Sequence, residues 1–543
     1  MDSKDLANLI FPNVKDVSYY EEKYPKRDLP EGAYVTRYAP SPTGFNHIGG
    51  VMQAMISQTL AKQTGGVSIV RIEDTDQKRE VENAAEQIMQ NLKDFDLLPD
   101  ESIWNSNEVK YGPYKQSLRK DIYQAYAKDL IAKGLAYPCF CTPEDLDQIR
   151  SNQEKAKERT GYYGKWTKCR NMPIDMAIEK IKAGEPYIIR FKSNGNPDKK
   201  IKHKDVIKGN IELPENDQDV VIIKSDGLPT FHFAHAIDDH FMGVNLVNRS
   251  DEWIPSVPLH LQLFYTLGFK APKYAHTAPM MKMDGDSRRK LSKRKDPEAN
   301  AAYYREIGVP KEAVKEYLMN IANSNFEMWR KQNPDKDMSE FPFDIKKMGV
   351  AGALFDLVKM LDVAKNVISR YSAEKVYDEV YDWAKEYDTE LAEMLEDKEY
   401  SLKVLGIERG NVKPRKDIAK WSDVKYIISY MYPEKFENAN KEEFEYQKIT
   451  DKDEINKIVK TYFEKYYDES DDKNTWFNKM KDLAEELGYS REVKEYKANP
   501  EAYKGHVGDI STVIRVKLTG RCNTPDLYEI MQVLGKEEIL KRI

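Results

Sequence analysis

The first candidate for chemistry is a His-Ile-Gly-Gly motif at residues 47–50, between a predicted strand and a predicted helix. Gly49 and Gly50 carry no side chain, so an anion could approach the backbone N–H groups at the start of that helix. His47 could donate a hydrogen bond to a phosphate oxygen. The motif alone is weak evidence, because a turn histidine that caps a helix is the simpler explanation of four residues.

A second motif, Lys-Leu-Ser-Lys-Arg, occupies residues 290–294 and follows a charged loop. Lys290 and Lys293 are three residues apart, and such a pair could bracket a triphosphate with two point charges. Taken by itself, the motif is explained more simply as a solvated basic loop.

Acidic side chains form a third motif, because Glu73, Asp74 and Asp76 follow directly after a predicted strand at residues 67–72. Carboxylates at the end of a buried strand could hold an amino group or a ribose. The simpler explanation is that they cap the next helix.

Two of these motifs fall within a predicted βαβ unit. Residues 33–39 have the composition of a buried strand, a Pro-Ser-Pro-Thr-Gly turn occupies 40–44, and residues 51–63 have helical spacing of apolar side chains. A strand, a helix and a second strand in this order predict a short parallel sheet. Ligands of such sheets bind beyond the carboxyl ends of the strands, where the His-Ile-Gly-Gly and acidic motifs lie.

In the rest of the chain, the predicted secondary structure changes from one region to the next. The N-terminal segment before residue 33 shows no clear period and is predicted to be an arm or extension. Residues 80–155 are predicted to be mainly helical, and 186–192 and 219–224 to be strands. The βα pattern returns at 230–270. After about residue 310 the pattern is helical and rich in Lys, Glu and Tyr.

Composition predicts a soluble globular protein of the cytoplasm. The 543 residues suggest about three or four domains, with 40% hydrophobic and 32% charged residues. We find no apolar run long enough to span a bilayer and no secretory signal. The net charge of −6 neither supports nor excludes RNA, since binding needs only local basic patches. Four cysteines do not make a disulfide framework in so long a chain.

The order and spacing of the motifs resemble a class I aminoacyl-tRNA synthetase of the glutamate type. The stretches that carry the resemblance are 34–50, 71–79, 219–253 and 290–294. Residues 37–50 resemble the family's first signature and 290–294 its second, and 225–243 resemble the strand that lines its amino-acid pocket. Residues 518–520 and 524–535 resemble its terminal anticodon-region helices, so nearly the whole chain beyond the N-terminal arm is covered.

The resemblance implies an α/β fold class: a class I synthetase Rossmann-like catalytic domain with an α+β acceptor-stem insertion, then helical stem-contact and anticodon-binding domains. The implied parts are an N-terminal extension (1–33), the first half of the catalytic domain (34–115), the insertion (116–228), the second half (229–272), a stem-contact region (273–365) and a helical anticodon-binding region (366–543). Lysine and tyrosine in the last region suit RNA, although a solvated helix face explains most of these charges individually.

The resemblance also implies a reaction. Glutamate and ATP, accompanied by Mg²⁺, would form glutamyl-adenylate and pyrophosphate, and a tRNA ribose hydroxyl would then take the glutamyl group and release AMP. The implied partners are tRNA-Glu, L-glutamate and ATP, with no membrane, and the implied state is a monomer. Charging of tRNA-Gln stays open.

Site residues are carried over by position. The implied catalytic residues are His47, Lys290 and Lys293, which would align the phosphates and neutralise charge in the transition state. The implied ATP-binding residues are Thr43, Gly49, Gly50, Glu252, Trp253, Met281 and Lys293.

For the amino acid, the implied binding residues are Arg37, Ala39, Ser41, Glu73, Phe231, His235 and Arg249. The guanidinium fork suits a carboxylate, which favours Arg37 and Arg249, and Glu73 would hold the α-ammonium group. A structural ion pair is the alternative for each arginine.

The chain departs from the family pattern at three places. Phe231 stands where the family often has Tyr, and His235 where it usually has a small or amide residue. Both put the details of the glutamate contacts in question. Residues 356–365 replace a stretch that usually bears Trp, Met and Asn, so no anticodon-reading residues are carried over.

Some family members hold zinc in the acceptor-stem insertion, and three cysteines lie there in this chain. The implied ligands are Cys139, Cys141, Cys169 and, as a phenolate, Tyr163. A zinc site needs four ligands, and three cysteines with no nearby histidine are an incomplete set. Three reduced, partly buried thiols are the alternative.

Three other functions remain open at this point. A glutamine-specific sister enzyme would have Asp-Asp-Thr-Asn where residues 73–76 are Glu-Asp-Thr-Asp, and its anticodon domain would be a β-barrel. A short paralogue that glutamylates a tRNA base would lack the long region after Arg294. An inactive RNA-binding scaffold would not need intact His47, Lys290 and Lys293.

Overall fold

The computed structural model describes residues 2–44, 46–105, 110–439, 441 and 444–543. The chain divides into two compact units, one formed by Met1–Tyr303 with Lys315–Asp356 and the other by Tyr304–Val314 with Leu357–Ile543. All strands among the described residues belong to the first unit. They are β1 (Val35–Tyr38), β2 (Val67–Val70), β3 (Ala136–Cys139), β4 (Ile188–Phe191), β5 (Lys200–Asp205), β6 (Gly209–Pro214), β7 (Val221–Ile223), β8 (Leu246–Ser250), β9 (Lys273–Thr277), β10 (Met281–Asp284) and β11 (Ser287–Lys290).

Helices occur along the whole chain. The helices up to residue 332 are α1 (Ser3–Ile10), α2 (Val17–Lys23), α3 (Ile48–Gln63), α4 (Ala84–Asp94), α5 (Lys120–Ala132), α6 (Pro143–Lys155), α7 (Ile174–Lys182), α8 (Phe231–Phe241), α9 (Val257–Thr266), α10 (Ala302–Glu306), α11 (Lys311–Ala322) and α12 (Asn325–Gln332). The later helices are α13 (Leu357–Ser369), α14 (Ala373–Tyr387), α15 (Thr389–Met394), α16 (Lys398–Gly406), α17 (Val424–Ile428), α18 (Pro433–Glu437), α19 (Lys452–Thr461), α20 (Lys473–Glu486), α21 (Val493–Ala498), α22 (Val507–Thr519) and α23 (Leu527–Arg542).

A four-stranded parallel sheet in the order β2-β1-β8-β9 belongs to the first unit. The helix α3 follows β1 and leads to β2, which confirms the predicted βαβ unit. In the register of β8 and β9, Arg249 lies opposite His276. Because all four strands are parallel, their carboxyl ends meet at one edge of the sheet.

Burial explains why these strands form. Val35, Ile69, Val247 and Tyr274 belong to one buried apolar cluster of the sheet. The helix α3 buries apolar side chains along its length, including Leu60. Strands that are covered in this way need mostly apolar residues, and the short apolar runs of the sequence meet that need.

In the sequence, an antiparallel sheet and a hairpin lie between β2 and β8 of the parallel sheet. The antiparallel order is β3-β4-β7, and β5 pairs with β6. The strands β4 and β7 confirm the predictions for 186–192 and 219–224. The strand β3 was not predicted, because four residues inside a mainly helical stretch are too few to show a period of two.

The prediction of a strand within 225–243 is wrong, because residues Phe231–Phe241 form the helix α8. Its buried apolar side chains include Phe233, Ile237 and Phe241, which are four residues apart and therefore lie on one face of a helix. A spacing of four is also a multiple of two and fits one face of a strand equally well, so this spacing alone does not separate a helix from a strand.

The prediction of an arm without period before residue 33 is also wrong. The helices α1 and α2 occupy this segment, and Leu6, Phe11 and Tyr20 belong to the same buried cluster as Tyr123 of α5. Asp2 begins α1 with a capping box. Helices of two turns are too short to show their period in the sequence, so burial against α5 decides their structure.

The regular elements among the described residues of the second unit are helices, which confirms the prediction for the C-terminal half. Its buried apolar residues form one cluster that includes Val380, Leu405, Ile458 and Ile514. A membrane-spanning helix, one both apolar and long enough, is not found anywhere in the described residues.

We predict that Leu6→Ala destabilises the first unit by about 2–5 kcal/mol, because Leu6 is buried against α5 and its truncation leaves a cavity. Equilibrium urea unfolding measures this change. The matched control is Asn8→Ala on the exposed face of the same helix, which should change stability by less than about 0.5 kcal/mol. Equal effects of the two substitutions would mean that α1 is not part of the core.

Candidate active site

The His-Ile-Gly-Gly and Lys-Leu-Ser-Lys motifs line one cleft of about 570 Å³. The lining includes His47, Gly49 and Gly50 from the start of α3, Lys290 from the end of β11 and Lys293 from the loop after it. The two motifs are more than two hundred residues apart in the sequence, at 47–50 and 290–293. Only the fold brings them together.

His47 connects the two motifs directly. Its Nδ1 accepts a hydrogen bond of 2.9 Å from the Gly49 N–H, so it caps α3. A neutral imidazole has one N–H, which must then be on Nε2, and Nε2 lies 3.3 Å from the carbonyl oxygen of Leu291. Burial lowers the pKa of His47, and the neighbouring Lys293 and Lys290 lower it further. The ring is therefore neutral near pH 7.

Gly50 is required for close packing. A Cβ atom at this position would clash with the hydroxyl group of Tyr38, which donates a hydrogen bond of 2.9 Å to Asn46 Oδ1. The absence of a side chain at Gly50 therefore serves the contact between α3 and the end of β1, and it also leaves the helix start open to the cleft.

Asp296 fixes the segment of chain that carries both lysines, from the end of β11 into the following loop. Its carboxylate accepts two hydrogen bonds from Arg289, at 2.6 and 2.7 Å, and one of 2.8 Å from the Ser292 N–H. The bonds from Arg289 hold the pKa of Asp296 well below its usual range. A bidentate pair of this kind fixes the orientation of both groups.

The two lysines differ in their surroundings. Lys290 forms an ion pair with Glu252, and both side chains are exposed. Lys293 is exposed at the lining of the cleft. A pair between exposed groups is weak, so Lys290 can exchange Glu252 for another anion at little cost.

Four of the seven residues predicted to bind ATP line the cleft: Gly49, Gly50, Glu252 and Lys293. Thr43, Trp253 and Met281 do not belong to the lining, whereas Met280 does. Trp253 packs against Phe231 instead, with ring centroids 4.4 Å apart.

A network of buried charges joins the end of β2 to α8. Arg71 donates to Glu73 at 2.9 Å and to Asp239 at 2.6 Å, and Arg37 lies 3.5 Å from Asp239. Burial acts to raise the pKa of Asp239, but Arg71, His235 and Arg37 together outweigh it and hold that pKa well below its usual range. Burial raises the pKa of Glu73, against the opposing effect of Arg71 and Arg37.

His235 belongs to this network and not to an open pocket. Its Nδ1 lies 2.9 Å from Asp239 Oδ2, and its Nε2 lies 2.9 Å from the Tyr274 hydroxyl. Burial lowers the pKa of His235 to about 4, so the ring is neutral. Phe231 stacks on it with the rings 9° from parallel. The pair with Asp239 is a charge contact in which Nδ1 makes no hydrogen bond, so only Nε2 is hydrogen-bonded, and a role of His235 in glutamate binding stays a prediction.

The loop after β1 is tied to the acidic motif. Ser41 Oγ donates a hydrogen bond of 3.0 Å to the carbonyl oxygen of Glu73, and the Glu73 N–H donates one of 2.9 Å to Pro40. Ala39 follows the last residue of β1 and precedes Pro40 and Ser41 in the sequence. Residues 39–41 and Glu73 therefore come together as predicted from the parallel sheet.

Arg249 is the last residue but one of β8 and is almost fully buried, with 4% of its surface exposed. Its Nε and Nη1 donate hydrogen bonds to the imidazoles of His276 and His260. Burial lowers the pKa of Arg249 to about 10, and Arg37 is close enough to lower it as well. Its Nη2 is buried and finds no hydrogen-bond partner among the described residues.

The predicted thiol cluster is present, but its tyrosine is Tyr162 and not Tyr163. The Sγ atoms of Cys139, Cys141 and Cys169 all lie within 4.8 Å of one another. The Tyr162 hydroxyl lies 3.5 Å from Cys139 Sγ and 3.4 Å from Cys141 Sγ. Tyr163 points elsewhere, since its hydroxyl donates to the carbonyl oxygen of Arg159 at 2.7 Å.

Comparison with known proteins identifies the family. The family model for the tRNA synthetases class I (E and Q), catalytic domain, matches residues 33–333. The chain belongs to this family of class I synthetases. A model for an anticodon binding domain matches residues 375–543, which supports the helical RNA-binding architecture expected of such a synthetase after the catalytic domain. The predicted resemblance and fold class are thereby confirmed.

Individual synthetases of this family are similar over the full length. A glutamate–tRNA ligase of Clostridium perfringens strain 13 is 52% identical over 547 residues, covering 100% of both chains. One from Fusobacterium nucleatum is 35% identical and covers 94% of this chain and 96% of its own. The crystal structure of a glutamate tRNA ligase from Elizabethkingia meningosepticum, in complex with its amino acid, has a TM-score of 0.72 at 28% identity and covers 94% and 98% of the two chains.

Several site residues were missed by the sequence analysis. Asp296 lies only three residues after Lys293, and an acidic residue so close to a basic motif is a signal that the sequence carries. His260 and His276 contact Arg249 from another helix and another strand, and Asp205 contacts His276 across 71 residues of sequence. No spacing rule connects positions that are this far apart.

We predict that Asp296→Asn makes the loop at 288–295 about tenfold more sensitive to limited trypsin digestion. Loss of charge-assisted hydrogen bonds raises the population of the opened loop, and cleavage follows that population. Mass spectrometry of the first fragments locates the cut. The control is Asp286→Asn, at an exposed residue of the preceding turn. An unchanged cleavage rate in Asp296→Asn would show that this carboxylate does not hold the loop.

Proposed function

We propose that the chain attaches L-glutamate to tRNA-Glu through a glutamyl-adenylate, with consumption of ATP and release of AMP and pyrophosphate. One observation carries the choice of amino acid: the guanidinium groups of Arg37 and Arg249 are buried within electrostatic reach of each other, and the Glu73 carboxylate is within reach of Arg37. Glutamate has two carboxylates and one ammonium group, so this arrangement is complementary to it in charge.

In this proposal the unsatisfied donors receive the substrate. Arg249 Nη2 is buried without a hydrogen-bond partner among the described residues, and Arg37 Nε faces Asp239 at 3.5 Å without a hydrogen bond. A buried donor left unpaired costs free energy, which a substrate carboxylate would recover. Glu73 would hold the α-ammonium group, with Ala39 and Ser41 at the adjoining loop. Phe231 and His235 would shape the pocket through their stacked rings instead of hydrogen bonding to glutamate.

The cleft between the two motifs would hold ATP. The N-terminus of α3 lines the cleft at Gly49 and Gly50 and would face a phosphate, and the Nε2–H of the neutral His47 would exchange the Leu291 carbonyl oxygen for a phosphate oxygen. Mg²⁺ supplies charge neutralisation on the triphosphate when it accompanies ATP. Thr43, Trp253 and Met281, together with Glu252, would contact the nucleotide after movement of the lysine-bearing loop.

Lys290 and Lys293 would neutralise the charge that develops on the α-phosphate as the glutamate carboxylate attacks it. Lys290 must first leave its ion pair with Glu252, and Lys293 lines the cleft from the loop after β11. We assign the larger effect on the transition state to Lys293, because a loop residue can follow the phosphates as the loop closes.

Aminoacylation with purified tRNA tests the proposal as a whole. The chain should transfer glutamate, and not glutamine, to tRNA-Glu in the presence of ATP and Mg²⁺. Transfer of glutamine alone would move the assignment to the glutamine-specific sister enzyme, and RNA binding without any transfer would indicate an inactive scaffold. A parallel reaction with tRNA-Gln decides whether this chain charges that substrate too.

The finer organisation is part of the same proposal. Residues 34–115 and 229–272 would form the catalytic domain, 116–228 the acceptor-stem insertion, 273–365 the stem-contact region and 366–543 the anticodon-binding region, after an N-terminal segment at 1–33. We propose that the chain acts as a monomer in the cytoplasm. Size-exclusion chromatography with light scattering, with and without tRNA, tests the first of these statements.

The thiol cluster fits zinc. A tetrahedral ion with Zn–S near 2.3 Å and Zn–O near 2.0 Å places sulfur atoms about 3.8 Å apart and sulfur and oxygen about 3.5 Å apart. Cys141 and Cys169 Sγ are 3.8 Å apart, and the Tyr162 hydroxyl is 3.5 and 3.4 Å from Cys139 and Cys141 Sγ. We propose that Cys139, Cys141, Cys169 and Tyr162 hold a structural zinc ion.

We predict close to one zinc ion per chain in the purified, untagged protein, measured by inductively coupled plasma mass spectrometry. Cys169→Ser should lower the zinc content by at least half, because it removes one of four ligands. Cys522→Ser, at a cysteine outside the cluster, is the control and should leave the content unchanged. Zinc well below stoichiometric amounts in the unaltered protein would mean that the cluster consists of three reduced thiols.

We predict that Lys293→Ala lowers kcat by about 100-fold or more while the KM for glutamate changes by less than about threefold. The lysine charge is most valuable in the transition state, so its loss affects the chemical step more than binding. Steady-state aminoacylation measures both constants. Lys295→Ala, two residues along the same loop, is the control. A variant at Lys293 with unchanged kcat would remove this residue from the reaction.

A further inference from the structure

The side chains around Arg249 orient it without neutralising it. Its Nε donates a hydrogen bond of 3.0 Å to His276 Nε2, and its Nη1 donates one of 3.0 Å to His260 Nδ1. The guanidinium carbon lies 4.4 Å from the centroid of the Tyr274 ring. Among the described residues, both side chains that accept hydrogen bonds from Arg249 are therefore imidazoles, and Nη2 alone is left without a partner.

The hydrogen bonds determine the tautomer of each imidazole. Because an arginine N–H can only donate, His260 Nδ1 must accept, and the proton of the neutral ring is on Nε2. That proton points to His232 Nδ1 at 2.9 Å. In the same way His276 accepts on Nε2 and carries its proton on Nδ1, which lies 2.6 Å from Asp205 Oδ2.

Both rings are kept neutral by their surroundings. His260 and His276 are completely buried, and burial lowers the pKa of each, with Arg249 lowering it further. For His276 the Asp205 carboxylate opposes this effect. A second positive charge beside Arg249 would be unfavourable at these distances, so the neutral forms are the ones that can hold it.

Asp205 is itself fixed by backbone donors. Its Oδ1 accepts hydrogen bonds from the N–H groups of Ile207 and Lys208, at 2.9 and 2.8 Å. The carboxylate ends β5, so it reaches the parallel sheet from a hairpin outside that sheet. Each link from Asp205 through His276 to Arg249 has the geometry of a full hydrogen bond.

We infer that His260 and His276, with Asp205 behind His276, are positioning residues that aim the unpaired Nη2 of Arg249 at a substrate carboxylate. The inference rests on the proposed function, in which Arg249 binds glutamate. Neutral acceptors suit this task better than acidic ones. An aspartate or glutamate in place of either imidazole would form an ion pair with Arg249 and compete with the substrate for its charge.

A pair of substitutions at His276 separates an acceptor role from simple packing. Gln can place its Oε1 close to where the imidazole Nε2 stands, and so keep the hydrogen bond from Arg249, whereas Leu removes the acceptor. We expect His276→Leu to raise the KM for glutamate by about 10- to 100-fold and His276→Gln to raise it by less than about threefold. The KM for ATP should change by less than about twofold in both variants. Equal effects of Leu and Gln, or an equal rise in the KM for ATP, would overturn the inference.

Asp205→Asn provides a test that preserves volume if His276→Leu does not fold. The amide oxygen can still accept from Ile207 and Lys208, but the amide nitrogen would donate to His276 Nδ1 and so place the ring proton on Nε2, facing the Arg249 N–H. We expect a rise of at least about tenfold in the KM for glutamate at nearly constant kcat. An unchanged KM in a folded Asp205→Asn variant would contradict the inference.

Arg249→Ala distinguishes the failure of this inference from failure of the proposed function. It should mainly raise the KM for glutamate, by about 100-fold or more. If Arg249→Ala raises that KM while His276→Leu and Asp205→Asn do not, only the positioning role is wrong. If Arg249→Ala leaves the KM unchanged, Arg249 is not in the glutamate pocket, and both the pocket assignment and the positioning role fall.

Discussion

Parallel pairing of four strands is the constraint on which the site depends. Because β1, β2, β8 and β9 all run in the same direction, the segments that follow them emerge at one edge of the sheet. The turn after β1, the acidic motif after β2 and Arg249 at the end of β8 are thereby brought together. A reversed strand would carry its motif to the opposite edge, about a strand length away.

Two arginines at this edge show how the same residue type serves structure and binding. Arg71 is fully buried between Asp239 and Glu73, which satisfy its charge inside the protein. Its pKa is raised as a result of those carboxylates, despite burial. Arg249 is nearly as buried but is surrounded by neutral imidazoles, and its pKa is lowered. Arg71 therefore stabilises the fold through internal ion pairs, whereas the charge of Arg249 is available to bind an anionic ligand.

The segment between β2 and β8 contains two separate features: a contact to His276 beside Arg249 and the thiol cluster. Asp205 of the β5–β6 hairpin contacts His276, which holds Arg249 in the proposed amino-acid pocket, although Asp205 belongs to neither half of the parallel sheet. The thiol cluster lies in the same segment and packs with Tyr137 and Ile149 in a small core of its own. A core of that size buries little apolar surface, so a cross-link would increase its stability, and a bound metal ion would provide such a cross-link. Support of the pocket and stability of the insertion therefore rest on different residues.

The sequence by itself determined the class of fold, the positions of the main motifs and the family. Apolar runs and helical spacing predicted β1, α3 and β2, because these elements are long enough or buried enough to show their period. The helices α1 and α2 have too few turns to show a period. The strand β3 is as long as β1 and β2, but it lies in a mainly helical stretch and contains a proline, which argues against a strand. The helix α8 was mistaken for a strand because its segment was interpreted from a motif and not from its spacing.

Tertiary structure alone decided which side chains meet. In the structure Tyr162 contacts the thiols and Tyr163 does not. Adjacent residues in an irregular segment point in different directions, and the sequence has no periodicity there that would predict which side chain is buried. The tertiary structure also placed His235 beside Tyr274 and Asp239, and it brought His260, His276 and Asp205 to Arg249. Contacts of this kind depend on packing between elements far apart in the chain, where local propensity carries no information.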